Sequence, residues 1–86
     1  MKLRKNGYGT SNLIGARVEA ARKRKGIKQK DLLAQLQVNG IDMSPSGLSK
    51  LEGQTRSVRD IELVALSHVL DTPILALLGR DESKQS

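Results

Sequence analysis

The stretch MSPSGLSKLEG, residues 43–53, decides how the rest of the 86-residue chain is read. Ser44 is a good helix N-cap, and Pro45 suits the first helical position, where a missing N–H costs nothing. Leu48 and Leu51, three apart, are the only apolar anchors, with Met43 ahead of the cap in position to act as a staple. Gly53 offers the left-handed conformation that closes many helices. Gly47 sits inside the segment, and Ser46, Ser49 and Lys50 face outward. A helix with two buried residues is not built mainly for stability. Its neighbours must hold it, and its outer face, small polar groups and one cation, is there to be presented.

Working back toward the N-terminus, QVNGID (residues 37–42) is rich in turn formers around Asn39 and Gly40. Before it a second helix starts near Lys28 or Gln29, with Leu32, Leu33 and Leu36 as its apolar face. A first helix is capped by Ser11 or Asn12, and Ile14, Val18 and Ala21 recur on one side of it at i, i+4 and i+7. Arg22, Lys23, Arg24 and Lys25 fill its last turn, against the negative end of the helix dipole, and Gly26 ends it. Working forward, QTRSV (residues 54–58) is a loop, and Ser57 with Asp60 resembles a capping pair. A fourth helix runs to about Leu70 with Leu63, Leu66 and Leu70 as its buried stripe. Thr72 and Pro73 restart the chain as a short fifth helix, PILALL, closed by Gly79. No strand alternation appears. The expected fold is all-α, five short helices over residues 11–79, flanked by a flexible basic arm at 1–10 and a disordered tail at 80–86.

Composition narrows the function. Hydrophobic residues make up 37% of the chain and Tyr8 is the single aromatic, so the core must come from Leu, Ile, Val and Ala. The absence of cysteine excludes a disulfide framework and cysteine-type zinc, and it fits a reducing compartment. One histidine, His68, argues against a His-based metal site, and no cofactor is implied. No apolar run approaches the roughly 18 residues of a membrane span, and no apolar segment follows the N-terminal cations as in a signal peptide. A cytoplasmic protein is the expectation. An enzyme is not expected: no Ser–His–Asp constellation or glycine-rich phosphate loop occurs, and Asp60 and Glu62, at i and i+2, do not face each other.

Charge is distributed unevenly. The net charge is +6, yet residues 1–30 carry ten of the fifteen cations against one acid, Glu19, which is +9. The remainder carries −3. A basic half of this kind suggests a polyanion met from one side. The major groove of B-DNA admits one α-helix and presents base edges to polar and cationic side chains. Small residues such as Ser46, Gly47 and Ser49 let a helix axis approach the groove floor.

The run from IGARVEAARKRKGIKQKDLLAQL through MSPSGLSKLEGQTRSVRDIELVALSHVL to PILALLG resembles the lambda-repressor and Cro type of helix-turn-helix, also called the xenobiotic-response-element family. The resemblance covers about residues 13–79. It rests on an Arg four before a Gly, a Gln opening the second helix, and Ser-x-x-Leu-Ser-Lys-Leu-Glu in the third. It implies a small prokaryotic or phage-type transcriptional regulator, repressor-like, that binds double-stranded DNA with the third helix (about 45–52) in the major groove. It also implies a structural ion pair between Arg22 and Glu52, and a phosphate contact at Gln29. The positions that read bases correspond to Pro45, Ser46, Ser49 and Lys50. Lys50 can donate to guanine O6 and N7, or serve as a phosphate contact. Ser44 is first a cap and then a phosphate candidate. Thr55 and Arg56 are placed to touch the DNA backbone, with Arg24, Lys28 and Lys30 as further phosphate candidates. Lys2, Arg4 and Lys5 can follow a groove. The chain departs from the family pattern in a longer turn between the second and third helices, in Leu33 and Ser67 where the family has Ala, and in Gln54 where it has Gly.

The rival reading keeps the helical scaffold but uses it as a protein-interaction module or antitoxin-like subunit. It expects an exposed apolar patch around Ile74, Leu75, Leu77 and Leu78 in the fifth helix. The DNA reading expects a dimer on a palindromic site with half-sites about 34 Å apart, with the same fifth helix as the self-contact.

Overall fold

Asn12 starts the first helix and ties it to the third. Its Oδ1 accepts from the N–H groups of Ile14 (3.1 Å) and Gly15 (2.7 Å). Its Nδ2 donates to the carbonyls of Leu51 (3.1 Å) and Arg56 (2.7 Å). Neither residue expected as the cap is the N-cap itself, which is Ile14; Asn12 acts from two positions before it. The computed structural model describes residues 11–80, and its elements are α1 (Gly15–Lys25), α2 (Gln29–Val38), α3 (Pro45–Glu52), α4 (Asp60–Leu70) and α5 (Ile74–Leu77). The fold is all-α, with no strand among the described residues. The arm expected at 1–10 lies outside them. So does the tail beyond Arg80, whose own N–H is bonded to the Leu75 carbonyl.

All five helices end alike. In each, the N–H of a left-handed residue bonds back three positions and the next N–H bonds back five, the Schellman arrangement that satisfies the last carbonyls. The left-handed residues are Gly26, Gly40, Gln54, Asp71 and Gly79. The conformation expected at Gly53 is therefore found one residue later. Gly53 stays right-handed (φ −82°), because its N–H continues the helix to the Ser49 carbonyl. Gln54 (φ 66°) closes the helix, fixed by the Ser11 N–H on its carbonyl and by its own Nε2 on the Asn12 carbonyl.

The loop between α2 and α3 is pinned from within. Gly40 (φ 86°) turns the chain so that Ile41 bonds the Leu36 carbonyl (2.9 Å) and enters the core. At α3 the Ser44 hydroxyl accepts the Gly47 N–H (2.9 Å), with Pro45 following the cap. Leu48 and Leu51 are fully buried.

The expected cap of α4 is corrected. Arg59 is the N-cap, and Glu62 accepts the Arg59 N–H (3.0 Å), so Ser57 lies outside the helix and Asp60 is its first residue. The stripe of α4 is also shifted. Ala65, Leu66, Val69 and Leu70 are buried while Leu63 is half-buried. The core is built from Leu, Ile, Val and Ala. Val18 from α1, Leu32 and Leu36 from α2, Leu66 from α4 and Leu77 from α5 close around α3's two leucines, all with no measurable exposure. Helix α4 packs on α1, α2 and α5. Among the described residues no helix is long and apolar enough to cross a membrane.

Candidate nucleic-acid interface

The outer face of α3 is positioned from its inner face. Arg22, in the last turn of α1, grips Glu52 at two points, Nε to Oε2 at 2.8 Å and Nη2 to Oε1 at 3.1 Å. Its remaining Nη1 donates to the Ile27 carbonyl (3.1 Å). Both side chains are buried. The Glu52 hydrogen bond raises the Arg22 pKa above its ordinary value, against the opposing effect of burial. Gln29, the first residue of α2, donates its Nε2 to Glu52 Oε1 (2.9 Å) and accepts from the Ser49 hydroxyl (3.4 Å). One carboxylate thus joins the end of α1, the start of α2 and α3. A satisfied buried ion pair fixes geometry more than it adds net stability, but losing one partner is expensive.

With Leu48, Leu51 and Glu52 turned inward, Pro45, Ser46, Ser49 and Lys50 are exposed. Gln29 adjoins Ser49, so the start of α2 and the outer face of α3 form one surface. Arg24, Lys28 and Lys30 are exposed on the adjoining end of α1 and start of α2. Of the nearby acids, Glu52 is held by Arg22 and Asp31 accepts the Lys28 N–H (3.0 Å), while Asp42, two residues before Ser44, is exposed. Thr55 is exposed and its hydroxyl donates to the Lys50 carbonyl (3.2 Å). The Ser44 hydroxyl is taken by its cap.

Arg56 departs from its expected place among the phosphate candidates. Its guanidinium spans the Glu62 carboxylate, Nη1 to Oε1 at 3.1 Å and Nη2 to Oε2 at 2.9 Å, and Nη1 also meets the Ser57 carbonyl. This second buried carboxylate was missed in sequence, although its place three residues after Arg59 is the signal of a capping glutamate. The Arg56 hydrogen bonds lower the Glu62 pKa first, burial opposes them, and the Arg59 N–H lowers it further. Arg56 thus anchors the loop between α3 and α4.

The apolar surplus is not where it was expected. In the fifth helix Leu77 is fully buried and Ile74 and Leu78 are half-buried, which leaves Leu75 as the exposed member. The larger exposure lies on Val38, Ile61 and Val64, at the end of α2 and on α4. Among the described residues no group of three or more His, Asp or Glu side chains is arranged to hold a metal ion. Compared with known proteins, the chain matches no protein family, no curated protein and no solved structure.

Proposed function

We propose that the chain is a helix-turn-helix DNA-binding domain of the lambda-repressor and Cro type. On this reading it is a small cytoplasmic regulator of transcription that recognises double-stranded DNA by sequence. The observation that carries this reading is the two-sided construction of α3. Its inner residues are locked by Arg22 and Gln29 through Glu52, while Pro45, Ser46, Ser49 and Lys50 stand exposed beside the exposed cations Arg24, Lys28 and Lys30. In the proposed complex α3 lies in the major groove. Lys50 donates to guanine, Ser46 and Ser49 exchange hydrogen bonds with base edges, and Pro45 makes apolar contact. Arg24, Lys28, Lys30, Thr55 and Gln29 hold phosphates, which set register without reading sequence. No chemical step and no cofactor are required.

Binding of the full chain to a randomised duplex library, followed by titration of the selected site at several salt concentrations, tests the proposal. The expected result is a preference of about 10³-fold or more for the selected site over random DNA, with affinity falling steeply as salt rises. Equal affinity for all duplexes with a shallow salt slope would sink it. A protein-interaction module is the second reading, and the exposure of Val38, Ile61 and Val64 favours it.

A further inference from the structure

Helix α4 carries a ridge whose chemistry is its own complement. Asp60, Val64 and His68 follow one another at four-residue intervals along its outer side, with Ile61 on the neighbouring ridge. Ile61 and Val64 remain 51% and 57% exposed. They border an open groove floored by Ile41 from the α2–α3 loop and by Ala65, in which Asp60 and His68 supply the titratable groups. His68 also lines a second, more polar groove together with Gln35, Asn39 and Val38, the most exposed large apolar residue described. Scattered exposed valines need no explanation, but a contiguous apolar surface framed by charge marks an interaction site.

The occupant is set by symmetry. Asp60 and His68 stand equally far on either side of Val64, one a hydrogen-bond-accepting carboxyl group and the other an imidazole with a ring N–H to donate. If a second copy of α4 crosses antiparallel about a two-fold axis at Val64, each Asp60 meets the partner's His68. The two Val64 side chains then meet on the axis and each Ile61 is covered. Ridges of i±4 spacing interdigitate in the commonest class of helix packing. A two-fold contact is isologous, so it demands a patch complementary to itself. The arrangement also sets each helix's positive N-terminal end, which bears Asp60, beside the partner's negative C-terminal end. An unrelated partner would not require this symmetry.

We propose that the outer face of α4, centred on Val64 and flanked by Asp60 and His68, is a homodimer interface formed with a second copy of this chain. The interface lies on α4 rather than on α5, the self-contact expected with the DNA reading, and its test uses no DNA, so DNA recognition by α3 and this contact can each fail alone.

The chain contains no cysteine, which permits single-site crosslinking of the full chain. Val64→Cys places the introduced thiols on the axis, and Leu75→Cys places them on α5. Under mild oxidation Val64→Cys should give disulfide-linked dimer roughly tenfold or more faster than Leu75→Cys, because a formed interface raises the effective thiol concentration. Sedimentation equilibrium should give a dimer for the unaltered chain. Asp60→Lys should weaken that dimer on the order of tenfold by replacing two attractive contacts with repulsive or neutral ones. Asp60→Lys combined with His68→Glu should restore it. Since both positions are exposed, circular dichroism should show each variant folded. A monomer up to about 100 µM, equal crosslinking at the two sites, or no rescue by the charge swap would overturn the proposal.

Discussion

The Gly15 α-carbon lies against the backbone of α3 so closely that a methyl group there would stand 2.2 Å from the Leu51 carbonyl oxygen and 2.9 Å from that of Glu52. Both atoms are backbone and cannot swing aside. The start of α1 and the end of α3 therefore meet backbone to backbone at Gly15, with the Gln54 side chain (2.8 Å from such a methyl) alongside.

Gly15→Ala should for that reason destabilise the chain, against the usual gain of about 1 kcal/mol on replacing a helical glycine by alanine. The expected net loss is about 1–3 kcal/mol, read from urea unfolding. Gly47→Ala serves as the comparison. A methyl there meets side-chain atoms of Ser44 (3.1 Å), Met43 (3.4 Å) and Arg56 (3.9 Å) and no backbone among its nearest neighbours, and stability should stay within about 1 kcal/mol of the parent chain. Equal effects at the two positions would contradict the packing described.

Arg22 and Glu52 are both buried and satisfy each other. Removing either alone strands a charge, so Arg22→Ala or Glu52→Ala should each cost about 3–5 kcal/mol. The pair Arg22→Met with Glu52→Leu should recover part of that loss, since replacing both partners by apolar groups strands no charge, although the Ile27 carbonyl and the Gln29 amide each lose a partner. Double-mutant analysis by chemical denaturation measures the coupling.

Acid should unfold the chain partly through Glu62. Its pKa is lowered in the folded state, chiefly by the hydrogen bonds from Arg56, so its contribution is complete above the ordinary glutamate value of 4.5 and is lost as pH falls below it through the depressed folded value. Arg56→Gln removes the main cause of the shift. Urea midpoints across the acid range should then fall less steeply below pH 4.5 than in the parent chain, from a lower starting stability at neutral pH. An unchanged acid limb would show that Glu62 is not the group responsible.

Asp71 closes α4 in the left-handed region (φ 52°) and puts a negative charge at the negative end of the helix. Asp71→Gly removes both penalties, offset in part by the greater freedom of glycine in the unfolded chain. A gain of roughly 0.5–1 kcal/mol in thermal or urea unfolding is expected.

If Lys50 reads a base, Lys50→Ala should cost about 1–3 kcal/mol of binding and relax preference at one position of the selected site. Uniform weakening over all duplexes, with a smaller salt slope, would assign it to phosphate instead.

Much of this architecture is legible in the sequence, and the misses share a cause. Ser44 and Pro45 announce α3 because caps and first-turn prolines act through local geometry. The periodic apolar residues Val18, Leu32 and Leu66 announce a core. Ile41 reads as part of a turn because Asn39 and Gly40 precede it, and only the closing bond of α2 returns it inward. Arg56 reads as a surface cation until Glu62 is known to face it, and Ser57 reads as a cap until Glu62 is seen to serve Arg59. Gly53 has the right composition for a left-handed turn, but Asn12 and Ser11, some forty positions away in the chain, hold Gln54 in that role. Long-range hydrogen bonds decide these cases. Of the candidate surface, exposure at Ser46, Ser49 and Lys50 followed from the leucine spacing, whereas the attachment of Gln29 to both Glu52 and Ser49 needed the fold.

The segregation of anchors from display within α3 has an evolutionary consequence. Foldability is spelled by Leu48, Leu51 and Glu52, and whatever the helix meets is spelled by other letters of the same short word. Copies of such a chain can drift at the exposed positions 46 and 50 while Leu48, Leu51 and Glu52 continue to hold the fold.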